Sequence, residues 1–270
     1  MINLSYIGRI FYGIAIAGMG LLTIYYQDFP YMLIPQGHLR IPGLAILAYI
    51  SGTLLILNGT CIVFEKKIRS TSLLLGGVLL LIFCFYFIPY QLIVGTKSMH
   101  FGDWENAAKE LTLASGAIVI AGCFSEKNEN LALKFINKLK VFGAILFSIT
   151  IISYSIDHFL YATEAADYVP SWVPHHIFWI YFTGIALLGS GIAIILKIKI
   201  RLVASLLGAM IFIWFIILHV PYVIASSSSD RAGETTSALL ALGYSGIAFV
   251  IAGTAEKKTD HKFKSASSPP

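Results

Sequence analysis

Eight apolar stretches, each close to the roughly 20 residues that a helix needs to cross a hydrocarbon core, take up most of this chain. They fall at about 5–26, 41–64, 70–94, 104–124, 139–161, 174–196, 200–225 and 235–255. The fold class this implies is an all-α integral membrane protein with eight transmembrane helices. Composition agrees, because 57% of the 270 residues are hydrophobic and 12% charged, whereas soluble domains run nearer about 45–50% and 25%. Such a chain lacks the polar surface to cover a water-facing globule, so lipid is its solvent. The fourth stretch is the poorest, since Glu105, Lys109 and Glu110 occupy its first two turns. The first, from about Ile7 to Tyr26, has the length of a full span and no cleavage site, so it reads as a helix and not as a signal peptide.

The basic residues give the orientation. With the N-terminus inside, the inner segments carry 15 of the 19 Lys and Arg, and the outer side keeps Arg40, Lys97, Lys109 and Arg231. Retention of Lys and Arg in short cytoplasmic loops predicts both termini inside. The expected location is the cytoplasmic (inner) membrane of a bacterium. The net charge of +5 is thereby topology, not a nucleic-acid footprint. Residues 125–140, where Leu131, Leu133, Phe135 and Ile136 alternate with Lys134, Lys138 and Lys140, read as a basic amphipathic cytoplasmic linker on the inner leaflet. Residues 256–270 read as a polar, disordered tail.

One constant shift lays the middle of one half on the other. Pro42 meets Pro174, Gly52 meets Gly184, Gly59 meets Gly191, Ile68-Arg69 meets Ile200-Arg201, Gly76 meets Gly208, and Pro89-Tyr90 meets Pro221-Tyr222. The flanking spans match with small gaps, as Gly122 and Gly253 stand one position off that register. A single register across two spans and a loop implies two four-helix units, 1–124 and 141–255. Four spans is an even number, so the units sit the same way up, as in parallel-repeat transporters. The matched glycines read as packing positions, since helices in lipid associate through close backbone approach; Ala204-x-x-x-Gly208 and Gly189-x-x-x-Ala193 fit that role. The paired prolines predict a kink late in the third span of each unit, because Pro lacks an N–H and collides with the preceding turn.

Ionisable side chains at membrane depth are costly and call for a reason. They collect toward the outer side of the second half: Asp157 and His158 at the end of span five, His175 and His176 opening span six, and His219 two residues before Pro221. The first half has Gly43, Leu44 and Phe87 opposite His175, His176 and His219. The candidate pocket is therefore an outer mouth made by Asp157, His158, His176, Trp179 and His219. Imidazoles there suit proton exchange or ligand contact; interfacial anchoring by Trp, Tyr and His is the competing reading. No metal site is expected, since no ligand pair has i, i+4 spacing. Cys61, Cys84 and Cys123 lie in apolar runs without a C-x-x-C pair, against a thiol–disulfide enzyme. The P-loop, dinucleotide fingerprint and H-E-x-x-H motif are absent, and no nucleic-acid module fits.

The run V-P-S-W-V-P-H-H-I-F-W-I-Y-F-T-G-I-A-L-L-G-S-G-I-A-I-I-L, Val169 to Leu196, resembles the DoxX-like membrane proteins. Asp157-His158-Phe159 before it, L-H-V-P at Leu218 to Pro221, and S-G-I-A-F-V-I-A-G at Ser245 to Gly253 extend the likeness over about 152–253, and more faintly over 8–122. The resemblance implies a four-helix membrane bundle per copy. Some relatives are small subunits of membrane thiosulfate:quinone oxidoreductases, and no catalytic residue carries over. Three functions stay open: an accessory subunit docking a membrane partner, or a second copy of itself, in a redox assembly; a quinone- or lipid-handling oxidoreductase using the outer mouth, with quinone as its cofactor class; and a small-solute transporter. Whether the chain is an enzyme is not legible in these residues.

Overall fold

The computed structural model describes residues 3–30, 43–94, 104–123 and 131–266, and every regular element among them is helical. In chain order these are α1 Leu4–Tyr26, α2 Leu44–Val63, α3 Ile68–Ile93, α4 Glu105–Cys123, α5 Leu131–Leu160, the single turn-and-a-half α6 Ala162–Ala166, α7 His176–Ile195, α8 Ile200–Ala225 and α9 Arg231–Ala266. Asn3 caps α1, its side-chain oxygen accepting from the Tyr6 N–H at 3.4 Å, which satisfies one of the orphan donors of a helix start.

Seven of these helices are long and apolar enough to cross a membrane: α1, α2, α3, α5 from Lys138, α7, α8, and α9 up to Ala255. The chain is a multi-pass, all-α membrane protein. Helix α4 is 19 residues long and carries Glu105, Lys109 and Glu110 at its start.

Two boundaries differ from the sequence expectation. Leu131–Leu160 is one 30-residue helix, so the described part of the inner linker continues into the span without a break; 125–130 lie outside the described residues. Helix α9 likewise runs on through Glu256 to Ala266, where the polar sequence predicts a disordered tail; 267–270 are not described. Once a buried span has formed, each further residue adds a hydrogen bond without a new nucleus, and Glu256, Lys257 and Lys258 are good helix formers.

The helices do not share the interior equally. Helix α1 packs on α2 and α9, α4 on α3 and α5, α5 on α7, and α9 on α8, with α4 and α9 also touching. Thus α1, α4, α5 and α9 form the centre, and α2, α3, α7 and α8 stand outside it. In the 18-residue apolar window of α9 72% of residues are buried, against 17% in that of α8. The outer helices turn large apolar side chains outward, including Leu47, Leu54 and Leu57 on α2 and Leu202, Leu206 and Ile213 on α8.

Backbone contact replaces the hydrophobic drive that lipid removes. A Cβ on Gly20 would lie 2.5 Å from the Gly52 carbonyl oxygen, and one on Gly59 would lie 2.5 Å from that of Gly13. No real side chain fits there, so the two pairs, two turns apart along each helix, set the α1–α2 spacing. Between α5 and α7 serines take part instead: Ser155 Oγ donates to the Gly184 carbonyl at 2.8 Å, and Gly191 lies against the Ser148 carbonyl.

Several backbone features recur at positions that the Pro42–Pro174 register pairs. The turns 64–67 and 196–199 hold Glu65 and Lys67 at φ 58° and 45°, and Lys197 and Lys199 at φ 59° and 40°. The residues preceding α2 and α7, Gly43 and His175, both have positive φ. The third span of each half contains a π-helical turn ahead of its proline, Phe83–Phe87 in α3 and Phe215–His219 in α8; α3 has a second, Tyr90–Val94, where α8 is α-helical. The prolines are Pro89 and Pro221. A π-turn is one of the known causes of a helix bend, as is Pro.

Candidate functional site

Helices α7 and α8, joined by the tight turn 196–199, touch sparingly and leave between them a groove of about 820 Å³. One wall is Trp179, Phe182, Ile185 and Gly189 of α7; the other is Leu206, Met210, Ile213 and Trp214 of α8. Trp172, Val173 and Pro174 line it at the end where α7 begins. Three of the chain's four tryptophans line it, which sets it apart from an ordinary lipid-facing crevice. At the matching positions of the first half stand Arg40, Leu47 and Ile82.

The V-P-S-W-V-P turn fixes that end. Val169 and Val173 are buried with Ala162 and Ala166 of α6 and with Ile180 of α7 in a small apolar cluster. That cluster anchors the start of α7 and so the Trp179 ring. The Trp179 indole N–H donates to the Pro174 carbonyl at 3.1 Å. Its one polar atom is thus satisfied within its own turn, and the ring presents apolar surface. Trp214 meets it edge-on, centroids 6.2 Å apart and planes at 79°.

The structure brings one of the five residues singled out by sequence into the lining of this groove. Trp179 belongs to its wall. His176 is the first residue of α7, one turn before Trp179. His219 ends the π-turn of α8, two residues beyond Ile217 of the groove wall, and is partly buried. Asp157 and His158 stand on α5. His158 Nδ1 lies 2.7 Å from the Tyr154 carbonyl; a carbonyl only accepts, so Nδ1 carries the proton. The His158 Cβ packs against Gly184 of α7. Asp157 is half-buried with one carboxylate oxygen unpartnered among the described residues, in electrostatic range of Glu105 and Lys109.

Gly189, Met210 and Trp214 are not legible as site residues in the sequence. The spacing of Gly189 suggests packing, yet a Cβ there would meet nothing within 4 Å, because it faces the groove. The available signal is Trp172, Trp179 and Trp214 in the second half against none at the matching positions of the first.

A second polar assembly lies in the central bundle. The Tyr154 hydroxyl is 3.4 Å from Thr112 Oγ1 and 3.1 Å from the Tyr244 hydroxyl, joining α4, α5 and α9. Lys109 pairs with Glu105 at 2.7 Å. Arg9, buried on α1, pairs with Glu65 at 2.5 Å in the turn between α2 and α3. Among the described residues no group of three His, Cys, Asp or Glu is placed to hold a metal ion. Comparison with protein-family models, with curated proteins and with solved structures returns no match.

Proposed function

We propose that this membrane protein holds a lipophilic, chain-bearing molecule, of the lipid or prenyl-quinone class, in the groove between α7 and α8. The observation that carries this reading is the three-tryptophan wall around some 820 Å³ of apolar space. That volume falls within the roughly 300–1,000 Å³ of small-molecule sites, and it opens sideways between two helices with outward apolar faces. The shared chemistry is the long apolar chain; Ser190 brings a hydroxyl to the lining, and His176, one turn before Trp179, is the side chain proposed to meet a headgroup or quinone ring.

The architecture behind this reading is eight spans in two tandem DoxX-like four-helix units, with N and C termini inside. Helix α4 is the eighth span, its charged first turns shielded by α3 and α5. The duplication is supported by the backbone features that recur in one register, and by contacts that pair off: α1–α2 with α5–α7, α3–α4 with α8–α9, and α1–α9 with α5–α4. An accessory role in a redox assembly is the second reading. It is favoured by the short inner turns, 64–67 and 196–199, which leave no soluble module for chemistry there; a partner's helix would then occupy the groove.

Gly189→Leu tests the assignment. It installs the residue found at the matching position of the first half, Leu57, into open space, so folding is expected to survive. Native mass spectrometry of gently solubilised protein is expected to show a small-molecule adduct on the wild type, reduced several-fold in Gly189→Leu. A wild type without such an adduct, or a variant that keeps it in full, contradicts the reading. Loss of a co-purifying protein in the variant would support docking instead.

A further inference from the structure

Glu110, one turn inside the start of α4, is 0% exposed, and neither carboxyl oxygen has a hydrogen-bond partner among the described residues. It belongs to the centre of the bundle and takes no part in the groove.

Among the described residues its surroundings supply no compensating charge. From α1, Tyr12 is within electrostatic range, but its hydroxyl donates to the Leu113 carbonyl at 2.6 Å and so is committed elsewhere. Arg9, one turn further in, pairs with Glu65. On α4 itself Lys109 pairs with Glu105. Thr112, which meets Tyr154 of α5, is two residues from Glu110 and hence about 200° around the helix. Tyr154, Asp157 and His158 therefore gather with Glu105 on a different side of α4. From α9, Tyr244 bonds Tyr154 and Glu234 stands in the first turn. Helix α3 has no ionisable residue between Arg69 and Cys84, and Tyr86 stacks on Tyr90.

A carboxylate removed from water and left without a cation is among the costliest groups to bury. Packing gives no reason for Glu110: in the second unit, on the repeat reading, the matching position is Ala241. An ionisable side chain kept at membrane depth with no structural partner marks a functional position.

We propose that Glu110 is a reversible proton-binding site inside the central bundle. In releasing the proton the carboxyl O–H bond breaks heterolytically, the electron pair stays on the carboxylate, and the proton passes to water. Glu105, one turn nearer the start of α4, has a side chain that is 51% exposed, and this marks the outer end as the side from which water reaches Glu110.

Infrared difference spectroscopy of the intact protein in lipid nanodiscs, titrated in H2O and D2O, tests this. The wild type is expected to show a carboxylic-acid carbonyl band that converts reversibly to carboxylate as pH rises and shifts in D2O. Glu110→Gln should lose that band, while Glu105→Gln and Asp157→Asn keep it. If Glu110→Gln does not fold, Glu110→Leu serves as the second deletion of the acid. A band that persists at every pH at which the protein stays folded would make Glu110 a fixed structural acid. A band that follows Asp157 or Glu105, or no acid band at all, would likewise overturn the proposal.

Discussion

Glycine in this protein has two opposite uses, and the sequence pattern does not separate them. Gly13, Gly20, Gly52 and Gly59 let the backbones of α1 and α2 meet, whereas Gly189 leaves space empty in the groove that Trp179 also lines. Small-residue spacing identifies a helix stripe but not what that stripe faces, which is why Gly52 and Gly59 are legible as packing positions and the same reading fails at Gly189. Gly20→Val is expected to destabilise the protein by about 1–3 kcal/mol, the usual range for overpacking, read from its unfolding midpoint in detergent. Gly77→Ala, where a Cβ meets nothing within 4 Å, is expected to leave the midpoint nearly unchanged. Equal effects of the two would remove the glycine ladder from the account. Trp179 is legible because aromatic residues near a proline turn are conspicuous. Trp214, on another helix, is not, since only the folded α7–α8 hairpin brings the two rings together. For Glu110 the sequence displays the charge, but its complete burial depends on neighbours from other helices.

At the scale of elements, the paired prolines announce a distortion but not its form. The structure places a π-turn ahead of each, at Phe83–Phe87 and Phe215–His219. A proline removes one N–H and crowds the carbonyl four residues back; widening the preceding turn is one of several ways to accommodate it, and side-chain packing chooses among them. Pro221→Ala restores the donor and removes the ring. Amides 215–222 are then expected to exchange more slowly with solvent as the turn reverts to α-helix. Unchanged protection would mean that packing, and not the proline, holds the π-turn. Helix α4 is the weakest stretch in sequence because its first two turns are charged. Its central place between α3 and α5 explains how it tolerates them: Lys109 pairs with Glu105, and its remaining surface is largely buried.

At the scale of the whole molecule, length and apolarity make the membrane class legible, while the division into central and outer helices is not. In lipid both faces of a span are apolar, so no polar stripe marks the outside: Leu54 and Leu55 are neighbours of one chemistry, one exposed and one buried. The proposed topology has its own check. A reporter fused after Lys264 is expected to be active on the cytoplasmic side, in keeping with the fifteen-to-four split of basic residues; activity only on the outer side would reverse the orientation and put the groove mouth inside. The central claim, a chain-bearing lipophile between α7 and α8, is tested most directly by photo-crosslinking. A lipid with a diazirine in its acyl chain is incorporated into membranes containing the protein, and the adducts are mapped by peptide mass spectrometry. The account predicts adducts concentrated on the groove walls, around Trp179, Met210 and Trp214, and depleted several-fold in Gly189→Leu. Adducts spread evenly over the outward faces of α2, α3, α7 and α8, and unchanged in the variant, would contradict it.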